Sequence, residues 1–239
     1  MTEVYYKRWS DENCVRSFAD KCAADFFASE RRFLERILKD VDSVLDVGCA
    51  SGRYVDLITD VRPQIRETLK YVGIDISPEN IENARRLYPR YQFELVNALD
   101  FAPGQKFDLV NATGVCQHEP EFELLIERML SWSARYVMFD VKLANVPGHV
   151  IDMTRSRAGT DDNPLYFILV SYKQLLDFLL RQPGVVNVEL FGYVTPTNQR
   201  VRLPDGVEAV VSTGILIEKG SANGAPRIAM SLPLEILGR

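Results

Sequence analysis

Val44-Leu45-Asp46-Val47-Gly48-Cys49-Ala50-Ser51-Gly52-Arg53-Tyr54 is an apolar run that ends in an acidic residue and passes into a glycine-bearing turn. The apolar residues read as a buried parallel strand, and the Leu57-Ile58 periodicity beyond Gly52 reads as the start of a helix. Strand, tight turn and helix make half of a nucleotide-binding unit. Glycine in such a turn lets a bound molecule approach the backbone closely.

Working outward, residues from about Ser10 to Lys39 carry Phe18, Phe26, Phe33, Leu34, Ile37 and Leu38 mostly at helical spacing among many charges. This predicts an amphipathic lead-in of two helices. Strand and helix signals then alternate: strand 43–47, helix from 52, strand 71–75, helix 78–87, strand 91–96, strand 107–112, helix 121–132 and strand 136–141. Such alternation predicts an α/β fold, a parallel sheet with helices on both faces. Residues 142–169 break the rhythm with Pro147-Gly148, Gly159, Asp161-Asp162 and Pro164, and read as an irregular insertion. Ser171 is expected to cap a helix running through Leu180, which Gln182-Pro183-Gly184 stops. Strands at 186–194 and 207–218 should form an antiparallel hairpin at the sheet edge, joined through Pro204-Asp205-Gly206. The tail after Gly220 is small and polar and reads as loosely ordered.

The quoted stretch resembles motif I of the class I S-adenosylmethionine (SAM)-dependent methyltransferases, in which an acidic residue is followed by glycines at the second, fourth and sixth positions. Here those positions hold Gly48, Ala50 and Gly52. Ala50 is the departure: a methyl group is tolerated there at negative φ and crowds the cofactor otherwise. The order of elements extends the resemblance from Asp42 to about Lys219. It implies a Rossmann-like, seven-stranded, mostly parallel sheet with an antiparallel last strand, and a single domain over 1–239. That domain comprises a lead-in or lid (1–41), a SAM-binding core (42–141), a substrate-side insertion (142–170), a C-terminal helix and hairpin (171–219) and a tail.

The resemblance also implies SAM as cofactor. Asp46 would hold its amino end, with Gly48, Cys49, Ala50 and Gly52 along the methionyl part. Asp75 closes the second strand, followed by Ile76, where a carboxylate can accept both ribose hydroxyls; it or Ser77 can equally start the helix at Pro78. Asn97 and Ala98 take the place of the pair that reads the adenine edge, Asn97 standing where the family usually has Asp. Thr113 follows the fourth strand as a further cofactor contact. A dinucleotide fingerprint would need glycines where Ala50 and Arg53 stand, which disfavours an NAD-dependent oxidoreductase. A non-catalytic SAM-binding module stays open, because fold does not fix function.

A net charge of −5 and a pI near 5.2 argue against a nucleic-acid partner, whose phosphates call for a basic surface. No apolar run approaches the roughly 20 residues that span a bilayer, and the first residues lack a signal-peptide core, so a cytoplasmic protein, monomer or homodimer, is expected. Cys14, Cys22, Cys49 and Cys116 form no CxxC pair, and Asp140 with Asn111 makes no convincing octahedral set, so no metal is expected.

The acceptor side is read from the second half of the chain and from aromatics near the amino terminus. His118, in Cys116-Gln117-His118-Glu119-Pro120, resembles the family's strand-end histidine and is the candidate base at the mouth of the cofactor cleft; its alternative role is to brace the following helix. Tyr5, Tyr6, Trp9, Tyr166 and Phe167 are candidate lid aromatics, each of which can also be ordinary packing. Arg155 and Arg157, with Arg200 and Arg202, can converge on an anionic acceptor or lie on the surface without a ligand. Tyr6, Arg155, Arg157 and Tyr166 are thus the expected substrate contacts. The expected acceptor is a small polar molecule methylated on oxygen or nitrogen, a sugar or other biosynthetic intermediate first, a peptide amino terminus or a carboxylate next.

Overall fold

The strand β1 (Ser43–Val47) is buried along four of its five residues. It can be so apolar because it is flanked on both sides, by β2 (Lys70–Asp75) and by β4 (Phe107–Ala112), with β3 (Gln92–Leu95) beyond β2; every one of these pairs is parallel. The computed structural model describes residues 7–160, 162–195, 201–221 and 224–237. Contacts divide the chain into two units, Met1–Ala112 with Arg128–Arg135, and Thr113–Glu127 with Tyr136–Arg239.

In the first unit the strand order is β4-β1-β2-β3. Two helices precede β1, as the sequence predicts: α1 (Glu12–Ala19) and α2 (Ala28–Ile37). Asp11 caps α1 by accepting from the Asn13 and Cys14 amides. The α2 stripe Phe33, Leu34 and Ile37 is buried, each side chain contributing about 1.5–3 kcal/mol of transfer free energy. Helix α3 (Tyr54–Val61) follows the glycine turn, and α4 (Pro78–Leu87) opens on Pro78 with the Ser77 hydroxyl accepting from the Asn80 amide.

The second unit carries most of β5 (Ser133–Ala144), preceded by α5 (Phe122–Trp132), whose residues divide between the units. It continues through β6 (Arg157–Thr160), β7 (Asn163–Tyr166), β8 (Leu169–Ser171), α6 (Tyr172–Leu180), β9 (Val185–Thr195), β10 (Val201–Arg202), β11 (Val210–Lys219) and β12 (Arg227–Ser231). The order is β12-β9-β11-β5, with β8 alongside β5. Here β11 is the reversed strand, antiparallel to both β5 and β9, whereas β8 and β12 pair in parallel. The mixed α/β, Rossmann-like class with mostly parallel pairing is the one read from the sequence, with more strands than the expected seven.

Four details differ from the sequence reading. The region 142–169 is irregular only over 145–156: beyond it β6 and β7 form an antiparallel hairpin within a separate sheet of order β10-β6-β7. Pro164 hid it, because proline disfavours a central strand; β7 is an edge strand, and Pro164 lies opposite Gly159. The tail is not loose, since β12 pairs with β9, and that strand rather than the β9/β11 hairpin forms the edge. All five β12 residues are exposed, so backbone pairing without side-chain burial builds it, and burial is what periodicity reports. Strand β5 runs on through Lys142 to Ala144, because that lysine is paired inside the protein. Ser171 occupies the N-cap of α6 but makes no side-chain cap bond.

Candidate functional site

Within the first unit the carboxyl-terminal ends of β1, β2 and β3 bring the expected cofactor residues together. The turn after β1 is left-handed at Gly48 (φ 69°), Ala50 (φ 45°) and Gly52 (φ 77°). A Cβ on Gly52 would lie 3.0 Å from the Phe93 ring and 3.1 Å from Tyr88, so glycine is required there by both backbone and space. At Ala50 the unfavourable alternative is realised: φ is positive, a conformation costing an L-residue about 1–2 kcal/mol. Asp75 holds it there. One carboxylate oxygen accepts the Ala50 amide at 2.9 Å and the other the Ser77 amide at 2.8 Å, and backbone donation from Ile76 adds to these. Burial nevertheless raises the Asp75 pKa against these bonds. Helix capping therefore falls to Ser77, and Asp75 ties the glycine turn to the end of β2.

Asp46 sits at the root of the turn, 3% exposed. Its carboxylate accepts from the Tyr71 hydroxyl on one oxygen and from Asn111 Nδ2 at 2.7 Å on the other. Burial outweighs both bonds and pushes its pKa up to about 6. Burial likewise pushes the Cys49 thiol well up; its sulfur would lie 2.7 Å from a Cβ on Gly73, so β2 needs glycine at that close approach. Asn97 Oδ1 accepts the Leu99 amide at 2.9 Å and starts the short 3-10 turn Ala98–Asp100, which places Asn97 and Ala98 just beyond β3. The lead-in is fastened here too. Arg53 donates through Nε (2.7 Å) and Nη2 (2.5 Å) to the Ala19 carbonyl, and Asn80 Nδ2 donates to the Trp9 carbonyl at 3.4 Å.

Sequence reasoning missed Tyr71 and Asn111 as partners of Asp46. The register supplies the signal: Asp46 pairs across to Asn111 on β4 and to Gly73 on β2, two residues beyond Tyr71 and on the same face.

Of the acceptor candidates, His118, Arg155, Arg157, Tyr166, Phe167 and Arg202 lie in the second unit, as does Thr113, in the turn after β4, whereas Trp9 lies in the first. His118 is braced. Its Nδ1 donates to the Tyr166 carbonyl at 2.6 Å, and in the neutral ring Nε2 accepts from Gln117 Nε2 at 3.2 Å. In the small sheet Arg202 is in register with Arg157, and Arg157 with Tyr166. Residues directly opposite share a face, so these three side chains form a row across β10, β6 and β7. Arg155 stands apart in an exposed turn before β6. Phe167, partly buried, packs on the buried cluster of Ala144, Val150, Leu169 and Val210. Tyr5, Tyr6 and Arg200 lie outside the described residues.

Two further polar groups in this unit were not foreseen as partners. Lys142, 6% exposed, donates to Asp140 Oδ2 and Ser212 Oγ, both at 3.1 Å, while Asp140 Oδ1 accepts the Gly114 amide at 2.5 Å. His149 accepts the Ser171 amide on Nδ1 at 3.1 Å, and burial lowers its pKa against the pull of Glu123. Among the described residues no helix is long and apolar enough to cross a membrane.

A methyltransferase-domain family model matches residues 38–159. Trans-aconitate 2-methyltransferase of Azoarcus sp. (strain BH72) is 30% identical over 123 residues, 51% of this chain and 45% of that protein. The enzyme of the same name from Escherichia coli O157:H7 is 34% identical over 111 residues, 44% of this chain and 42% of that protein. The chain thus spans less than half the length of these curated relatives. Among solved structures, the plantazolicin methyltransferase BpumL in complex with SAH superposes with a TM-score of 0.59 at 15% identity, covering 91% of this chain and 94% of that one. The N-terminal domain of EvdMO1, in the presence of SAH and D-fucose, gives 0.61 at 11% identity, covering 92% and 100%. At such identities these two report the fold.

Proposed function

Because the chain belongs to the class I methyltransferase family, with SAM as its methyl donor, we propose that its acceptor is a small carboxylate, methylated on oxygen. The observation that carries this reading is the row Arg202, Arg157, Tyr166. Two guanidinium groups opposite one another on neighbouring strands present their N–H donors on one face of the small sheet. Guanidinium forks suit carboxylates geometrically, with paired N–H bonds to two oxygens. The curated relatives, by name, act on trans-aconitate, a carboxylate, which agrees with this choice.

The chemistry is economical in protein groups. When bound, SAM would supply an electrophilic methyl on a sulfonium, whose carbon–sulfur bond breaks as the new bond forms, with neutral S-adenosylhomocysteine as the leaving group. A carboxylate has no proton to lose, so forming its bond to the methyl carbon requires no general base, and positioning is the main contribution asked of the protein. His118, with both ring nitrogens engaged, fits a bracing role for the β7 segment. On the cofactor side we propose that Asp75 and Ile76 meet the ribose, Asn97 and Ala98 the adenine edge, and the turn from Gly48 to Gly52 the methionyl part. The left-handed turn and the packing that excludes a Cβ at Gly52 fit such a ligand.

The test is transfer of labelled methyl from SAM to a panel of small di- and tricarboxylates and neutral sugars, with product ester identified by its release of methanol in base. Arg157→Ala and Arg202→Ala should each raise KM for the carboxylate about tenfold with kcat changed much less, the loss expected of a charged contact. Methylation of sugars alone, or ester formation indifferent to both substitutions, would refute the proposal.

A further inference from the structure

Tyr54 is the first residue of α3, directly after the glycine turn, and is 4% exposed. Its hydroxyl is buried and has no hydrogen-bond partner among the described residues. Leaving a buried hydroxyl unpaired costs about 1–3 kcal/mol, and such groups in native proteins are few. The ring is held by the edge-on contact with Phe26, centroids 5.5 Å apart at 77°, itself fixed under Lys21 Nζ at 3.8 Å. The charges that act on the hydroxyl are those of Glu30 and Asp46, both buried. Tyr71, the partner of Asp46, feels Tyr54 as well. The unpaired oxygen therefore lies in a negative environment at the root of the turn, and burial keeps it a neutral phenol whose lone pairs can accept.

We infer that the Tyr54 hydroxyl is a ligand for the amino-acid end of the cofactor, accepting from its ammonium group. The assignment rests on SAM being the cofactor and adds a side chain to the backbone and carboxylate contacts expected of the turn. An ammonium suits the site because Asp46 and Glu30 favour a cation, and because the ligand removes the unpaired state that the protein alone tolerates.

The experiment compares Tyr54→Phe with wild type by thermal unfolding of the ligand-free protein and by calorimetric titration with two probes, S-adenosylhomocysteine and 5′-methylthioadenosine, which lacks the amino-acid end. The substitution should leave the ligand-free Tm equal or higher, weaken S-adenosylhomocysteine about tenfold or more, and leave 5′-methylthioadenosine within about twofold. A lowered Tm with unchanged affinity would overturn the inference by showing that the hydroxyl is paired within the protein. Equal losses for both probes would overturn it by showing a general disturbance of the site. Failure of the wild type to bind either probe would remove the cofactor reading, and this inference with it.

Discussion

The raised pKa of Asp46 makes a quantitative demand on stability. Its carboxyl titrates near 6 in the folded protein against 3.8 unfolded, because burial opposes the charge more than Tyr71 and Asn111 support it. Between those values the folded state holds a proton that the unfolded chain has released. The group's contribution to stability is therefore full below 3.8 and is lost as pH rises through 6. At about 1.4 kcal/mol per tenfold the whole interval is worth about 3 kcal/mol, of which about 2 kcal/mol falls between about pH 4.5 and about pH 7.5. Asp46→Asn removes the titration while keeping the shape. Urea unfolding of both proteins across that range isolates the group, since other carboxyls titrate in both. The variant, whatever its stability at the acid end, should gain about 2 kcal/mol relative to wild type by the neutral end. Parallel pH profiles would refute the reasoning, and would mean that solvent reaches the carboxylate.

Two further substitutions probe the site's supports. Ala50→Gly relieves a left-handed alanine worth about 1–2 kcal/mol and gives back about 0.5–1 kcal/mol of unfolded-state entropy, so a net gain of about 0.5–1 kcal/mol in urea unfolding is expected; a loss of stability would show that the Ala50 methyl packs usefully. Lys142→Met leaves Asp140 buried without its ammonium and should cost about 3–5 kcal/mol, whereas Lys142→Met with Asp140→Asn should recover most of it. An additive double variant would show that the two side chains act independently.

The limits of sequence reading are visible in single residues. Lys142 and Pro164 both interrupt an apolar pattern, yet both sit in strands. The lysine's charge is met by Asp140 two residues earlier on the same face and by Ser212 across the ladder, and the proline's missing amide falls on an edge strand. Neither partner is visible in a local window, since each depends on which strand lies alongside. Strand β12 fails in the opposite way: its side chains are exposed, so nothing in its composition marks the backbone pairing that forms it.

By itself the sequence determined the alternation of strands and helices in the first half, the glycine turn after β1 and the acidic residues at the ends of β1 and β2. These follow from local rules: burial on both faces writes an apolar run, a left-handed turn selects glycine, and a helix start selects serine before proline. Tertiary structure alone decided that Asp46 is pinned by Tyr71 and Asn111, that Asp75 holds a left-handed alanine, that Arg157 faces Arg202, and that the Tyr54 hydroxyl is buried without a partner among the described residues. The physical reason is common to all four. Each depends on strand register and on the distance between segments remote in the chain, where contact and burial, rather than spacing along the sequence, set the energy of a polar group.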